Sequence, residues 1–132
     1  MSTTIHRGEH FSVQHHRASG YVCVVRSKTP FASVTDAIDG LSACRAVLQG
    51  IERSCHGVLF DWRRSPISTD PTLHKALAQQ MDKLAEAFTR CAILLATTVG
   101  TMQASRVGRT LGNQKMLVFD DESAAIAYVT MA

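Results

Sequence analysis

A chain of 132 residues and 14.4 kDa has room for one hydrophobic core, because a second would leave each half too small to bury enough surface. Apolar residues at 45%, charged residues at 19% and a mean hydropathy of +0.02 exclude a disordered chain, and the apolar run 91–96 is far short of the roughly 20 residues that span a bilayer. The formal net charge is +3, with a pI near 8.8 and only 6% aromatic residues, and the arginines are scattered, which excludes the clustered basic and aromatic surface of a nucleic-acid binder.

In chain order, residues 1–10 carry no apolar stretch behind Arg7. Neither a signal peptide nor a lipid anchor is therefore expected, and a cytoplasmic location is. Residues 1–10 are read as a flexible leading segment, followed by a single domain over 11–132. From Phe11 the pattern is strand-like: Phe11, Val13 and His15 alternate with Ser12, Gln14 and His16. A turn at Arg17-Ala18-Ser19-Gly20 then leads into Tyr21-Val22-Cys23-Val24-Val25. The pair reads as a hairpin whose second strand, apolar on both faces, is internal to a sheet.

After Pro30 the period changes. Ser33 and Asp36 have capping-box spacing, and Val34, Ile38, Leu41 and Leu48 recur at helical intervals, predicting a helix over 34–52. Gly40 inside it costs about 1 kcal/mol relative to Ala, for a reason that local sequence leaves open. Gly57-Val58-Leu59-Phe60-Asp61-Trp62 is a short buried strand leading to a polar loop. Asp70-Pro71 sets an N-cap before a proline at the first helical position, and Leu73, Leu77, Met81 or Leu84, and Phe88 supply that helix with its buried stripe. Cys91-Ala92-Ile93-Leu94-Leu95-Ala96 is a buried strand, and a third helix is expected through Val99, Met102, Val107 and Leu111. Met116-Leu117-Val118-Phe119 is the last strand. Asp120-Asp121-Glu122 puts three acids on the first turn of a final helix containing Ile126 and Val129, where the helix dipole favours negative charge.

The expected fold is therefore α/β, in the order β-β-α-β-α-β-α-β-α, with a mixed, mostly parallel sheet of about five strands. Four strands would be parallel, and 11–16 would form an antiparallel edge. This pattern resembles the SpoIIAA-like family of the STAS group of anti-sigma-factor-antagonist-type domains. The resemblance covers 11–129: the opening hairpin, the capped first helix, Val58-Leu59-Phe60-Asp61 with an arginine just beyond, the apolar strand from Ala92, and Val118-Phe119-Asp120-Asp121-Glu122 running into Ala124-Ala125-Ile126-Ala127. It implies a bacterial cytoplasmic domain without catalytic activity or cofactor, one that binds a partner protein, a nucleotide or an apolar ligand. Regulatory members of that family carry Asp-Ser-Ser/Thr-Gly after the third strand. This chain has Ser65-Pro66-Ile67-Ser68-Thr69-Asp70-Pro71 instead, so no phosphorylated serine is assigned.

Cys23, Cys44, Cys55 and Cys91 are 21, 11 and 36 residues apart, without the closely spaced pairs typical of zinc sites, so free thiols and no metal site are expected. His15 and His16 are adjacent on a strand and point to opposite faces, which is poor chelating geometry. Cys55-His56 lacks an orienting acid for nucleophilic chemistry. Asp61 with His74 is the weakest of the functional readings, an acid–base pair lacking a nucleophile or metal. The most informative cluster is Asp61, Arg63, Arg64, Ser65, Ser68, Thr69 and Asp70. Together with Thr97, Thr98 and Thr101 after the next strand and Asp120 after the last, these residues follow the carboxyl ends of parallel strands, where ligands of open α/β sheets bind. Arg106 and Arg109, three apart on the expected third helix, are the secondary candidates. The leading functional expectation is a regulatory or protein-interaction domain that binds a protein partner, with a small anionic ligand as a further expected class. The alternative is a carrier of a small apolar, lipid-like ligand.

Overall fold

The fold is given by a computed structural model that describes residues 2–66, 68–96 and 116–131. It is an α/β arrangement around a six-stranded mixed sheet whose spatial order follows the chain: β1 (Thr3–Arg7), β2 (Phe11–His16), β3 (Tyr21–Arg26), β4 (Gly57–Asp61), β5 (Cys91–Leu94) and β6 (Met116–Phe119). β1 and β2 pair antiparallel, as do β2 and β3, while β3, β4, β5 and β6 form a parallel set. Helix α1 (Val34–Leu48) follows β3, α2 (Pro71–Ala85) follows β4, and α3 (Glu122–Val129) follows β6. The helix expected through Val99 and Leu111 falls outside the described residues.

Three expectations need correction. Thr3–Arg7, assigned above to a flexible leading segment, forms an edge strand whose Thr4 pairs with Gln14 and Arg7 with Ser12, interrupted by a bulge between Thr4 and His6. The polar, irregular sequence of β1 concealed it, because an edge strand needs hydrogen-bonding backbone rather than an apolar face. Consequently Phe11–His16 is an interior strand and not the antiparallel edge, and the sheet has six strands instead of about five. Third, α1 ends at Leu48 instead of continuing to 52, since Gln49, Gly50 and Ile51 donate to the carbonyls three residues back, at 3.4, 3.4 and 3.1 Å, tightening and closing the last turn.

Alternation along the strands divides the apolar residues between two faces. Phe11, Val13, Val22, Val24, Val58, Phe60, Cys91 and Ile93 share one core with Leu41, Cys44 and Leu48 of α1 and Met81, Leu84 and Ala85 of α2. Tyr21, Cys23, Leu59, Ala92 and Leu94 share the other with Ala125 and Val129 of α3. Placement of α1 and α2 on one face agrees with successive right-handed crossovers between neighbouring parallel strands. The caps are those the sequence predicts: Ser33 Oγ accepts from Asp36 N at 3.4 Å, and Asp70 Oδ1 accepts from Thr72 N at 3.0 Å. Asp36 reaches back to the Ala32 N–H at 3.1 Å. Gly20 has φ +75° at the end of the β2–β3 turn, a conformation that favours glycine.

The structure supplies the reason for Gly40. A Cβ there would stand 2.7 Å from Cδ2 and Cε2 of Phe11, so the helix lies directly on that ring. Phe11 is itself held by Phe31 and Trp62, with centroids 5.8 Å away in both cases. Into the same aromatic group runs Arg26, which is 2% exposed. Its guanidinium lies 3.9 Å from the Phe31 ring centroid and donates to the Ser27 carbonyl at 2.7 Å. Cation–π attraction and this hydrogen bond offset part of the cost of burying the charge, and burial lowers the pKa to about 10.

Candidate functional site

The row Asp61, Leu94 and Phe119 marks the carboxyl ends of β4, β5 and β6. Trp62 N donates to Leu94 O and Leu95 N to Phe119 O, both at 2.9 Å, so the chain leaves the sheet at Arg63 and Glu122 along the same edge. Three charged side chains meet there. Arg63 grips Asp61 in a two-pronged contact, Nε to Oδ1 at 3.0 Å and NH2 to Oδ2 at 2.8 Å, while the Arg63 backbone N–H also donates to Oδ1 at 3.2 Å. The same NH2 lies 2.8 Å from Glu122 Oε2. Asp121 caps α3 by accepting from Ala124 N at 3.0 Å, which fixes Glu122 in the first turn.

Exposure shows what this network can do. The Asp61 side chain is 15% exposed, Arg63 42% and Glu122 52%. Exposed ion pairs of this kind contribute about 0–1 kcal/mol each, so the network orders its groups more than it stabilises the fold. Planar, bidentate geometry holds the guanidinium in one orientation. The hydrogen bonds to Asp61, outweighing partial burial and aided by the charges of both carboxylates, raise the already high Arg63 pKa further. On the same face of the sheet, burial and then the charges of Asp61 and Glu122 push the Cys23 thiol up to about 12. The thiol stays neutral and behaves as a small hydrophobe.

Of the residues selected from sequence, Asp61 and Arg63 are brought together. Arg64 is exposed beside them and makes no ion pair among the described residues. Ser68 and Thr69 belong instead to the approach to α2: Ser68 Oγ accepts from Asp70 N at 3.2 Å, Thr69 is exposed, and no hydrogen bond links either to the network. Thr97, Thr98, Thr101, Arg106 and Arg109 fall outside the described residues. The sequence reading missed Glu122 as the second partner of Arg63. Its acid-rich helix start accounted for it locally, and only the β4–β5–β6 register shows that residues 63 and 122 share an edge.

The histidines are also regrouped. His16 stacks on Tyr21 with centroids 4.3 Å apart and planes within 5°, whereas His15, on the other face, meets His56 with an Nε2 to Nε2 separation of 3.1 Å. Cys55 is exposed and Cys23, Cys44 and Cys91 are buried, all four being free. No helix among the described residues is long and apolar enough to cross a membrane. In comparisons with protein-family models, curated proteins and solved structures, the chain matches none. Fold and site together define an α/β domain with a half-exposed, charge-ordered edge at the carboxyl ends of its parallel strands.

Proposed function

We propose that this chain is a non-catalytic, cytoplasmic regulatory or protein-interaction domain of the STAS, SpoIIAA-like type, and that it docks a protein partner at the carboxyl-end edge of its sheet. The observation that carries this reading is the Asp61–Arg63–Glu122 network with Arg64 beside it. Both signs of charge are displayed on one edge, with the Arg63 guanidinium fixed in orientation and Arg64 without an ion pair among the described residues. Such an arrangement suits recognition of a polar protein surface, where charge complementarity sets partner choice and approach rate more than raw affinity. Arg64, and NH1 of Arg63, which has no partner among the described residues, would meet carboxylates, and Glu122 a basic group.

Native mass spectrometry of the protein purified from its own cell, combined with capture by wild type and by Arg63→Ala/Arg64→Ala, tests the proposal. The expected result is one stoichiometric protein partner that binds the double variant at least about tenfold more weakly, a loss of about 1.4 kcal/mol. Equal binding at equal folded concentration would show that the surface is misplaced. Retention of a small apolar molecule in place of a protein would favour the carrier reading instead.

A further inference from the structure

The His15–His56 pair lies at the other end of the sheet from the charged edge, because His56 immediately precedes Gly57, the first residue of β4, and His15 stands beside Val22, which pairs with Val58. Backbone contacts on several elements set its geometry. β2 holds His15 between Thr3 and Val22. His56 is fixed by its carbonyl, which accepts from both N and Oγ1 of Thr89 at 2.9 and 3.0 Å. The ring of His56 is oriented by a 2.9 Å contact between Nδ1 and the Glu52 carbonyl. A carbonyl can only accept, so Nδ1 carries the proton and the lone pair of His56 is on Nε2, 3.1 Å from Nε2 of His15.

We propose that His15 and His56 form a binding site for a divalent transition-metal cation of the zinc or nickel class, with the two Nε2 atoms as its protein ligands. At metal–nitrogen distances of 2.0–2.1 Å, two cis ligands stand about 2.9 Å apart at a right angle and about 3.3 Å apart at the tetrahedral angle. The observed 3.1 Å lies between these values. A backbone acceptor on the far nitrogen of a ligating histidine is the usual outer-shell device for fixing its tautomer, and the Glu52 carbonyl already fills that role. Neutral imidazole suits cations of this class. In the absence of metal the pair is joined by an Nε2–H donated from His15. Metal entry requires that proton to shift through water to Nδ1 of His15, with no net change of charge on the ring. Among the described residues no cluster of three or more His, Cys, Asp or Glu side chains is placed to hold a metal, so water would complete the coordination. Arg17 adds nearby positive charge, and the site is therefore an open, exchangeable one of modest affinity.

Calorimetric titration of the tag-free protein with Zn²⁺, with ¹⁵N-detected imidazole spectra recorded in parallel, tests this. The expected result is saturable binding of one equivalent that shifts the Nε2 resonances of His15 and His56 and leaves those of His16 in place. His15→Ala and His56→Ala should each weaken binding about tenfold or more, while His16→Ala and Cys55→Ser change it less than about twofold, because neither side chain ligates the metal. Absence of saturable binding, binding that survives His56→Ala, or binding lost with Cys55→Ser would each overturn the proposal. The spectra of the unaltered protein decide the matter even if a histidine variant folds poorly.

Discussion

Substitution of Gly40 by alanine sets a local preference directly against a tertiary contact. Alanine in a helix interior is favoured over glycine by about 1 kcal/mol, so α1 considered alone would be stabilised. In the folded protein the added Cβ would meet the Phe11 ring at 2.7 Å, inside any ordinary van der Waals separation. The ring has little room to withdraw, since it is 2% exposed and bounded by Phe31, Trp62 and the Arg26 guanidinium. Overpacking of this kind costs about 1–3 kcal/mol, giving a net destabilisation of roughly 0–2 kcal/mol when the helix gain is subtracted. A double-mutant cycle with Phe11→Leu separates the two terms. The shorter side chain vacates the space beside Gly40, so Gly40→Ala should become neutral or stabilising there, with a coupling energy of about 1 kcal/mol or more. Urea denaturation of the four proteins measures it. A gain of about 1 kcal/mol from Gly40→Ala in wild type, unchanged in the Phe11→Leu background, would refute the reasoning and leave helix propensity as the whole effect.

Gly57→Ala should be more damaging, because its Cβ would run into the carbonyl of Val129 at the end of α3. Backbone cannot turn aside as a side chain can, and a loss of about 2 kcal/mol or more is expected by thermal or chemical denaturation. Asp70→Ala removes the acceptor of the Thr72 N–H and should cost about 0.5–2 kcal/mol, whereas Asp70→Asn, which keeps a capping oxygen, should cost less in the same assay. Ellman's reagent should find one rapidly reacting thiol in the native protein, Cys55, and four after denaturation, since Cys23, Cys44 and Cys91 are buried. The pKa of Cys91 is raised by burial, and those of Cys23 and Cys44 are pushed up to about 12 from an ordinary value of 9.0. The folded state therefore holds these protons more tightly than the unfolded state. Their contribution to stability is complete below about pH 9 and declines as pH rises toward 12, by up to about 1.4 kcal/mol per pH unit for each thiol. Denaturation midpoints between pH 8 and 11 that do not fall would contradict this.

Much of the fold followed from local chemistry. The α/β class, the parallel set from β3 to β6, the hairpin closing through Gly20, the helix starts at Ser33 and Asp70, and a final helix opening near the acidic run 120–122 depend on hydrophobic period, turn residues and caps, all confined to a few consecutive positions. Strand Thr3–Arg7 was not legible, because its stabilisation comes from backbone pairing with β2 and its side chains carry no apolar alternation. The ion pair of Asp61 with Arg63 was within reach of the sequence, because residues two apart can meet across a turn. Glu122 and the pairing of His15 with His56 were not, since their partners lie 59 and 41 residues away and are set by strand register, which no short window contains. The same division explains Gly40: its helical cost is written in the sequence, but whether anything offsets that cost depended on which side chain came to rest against the helix. Tertiary packing placed Phe11 there, and close packing leaves no space for a methyl group between them.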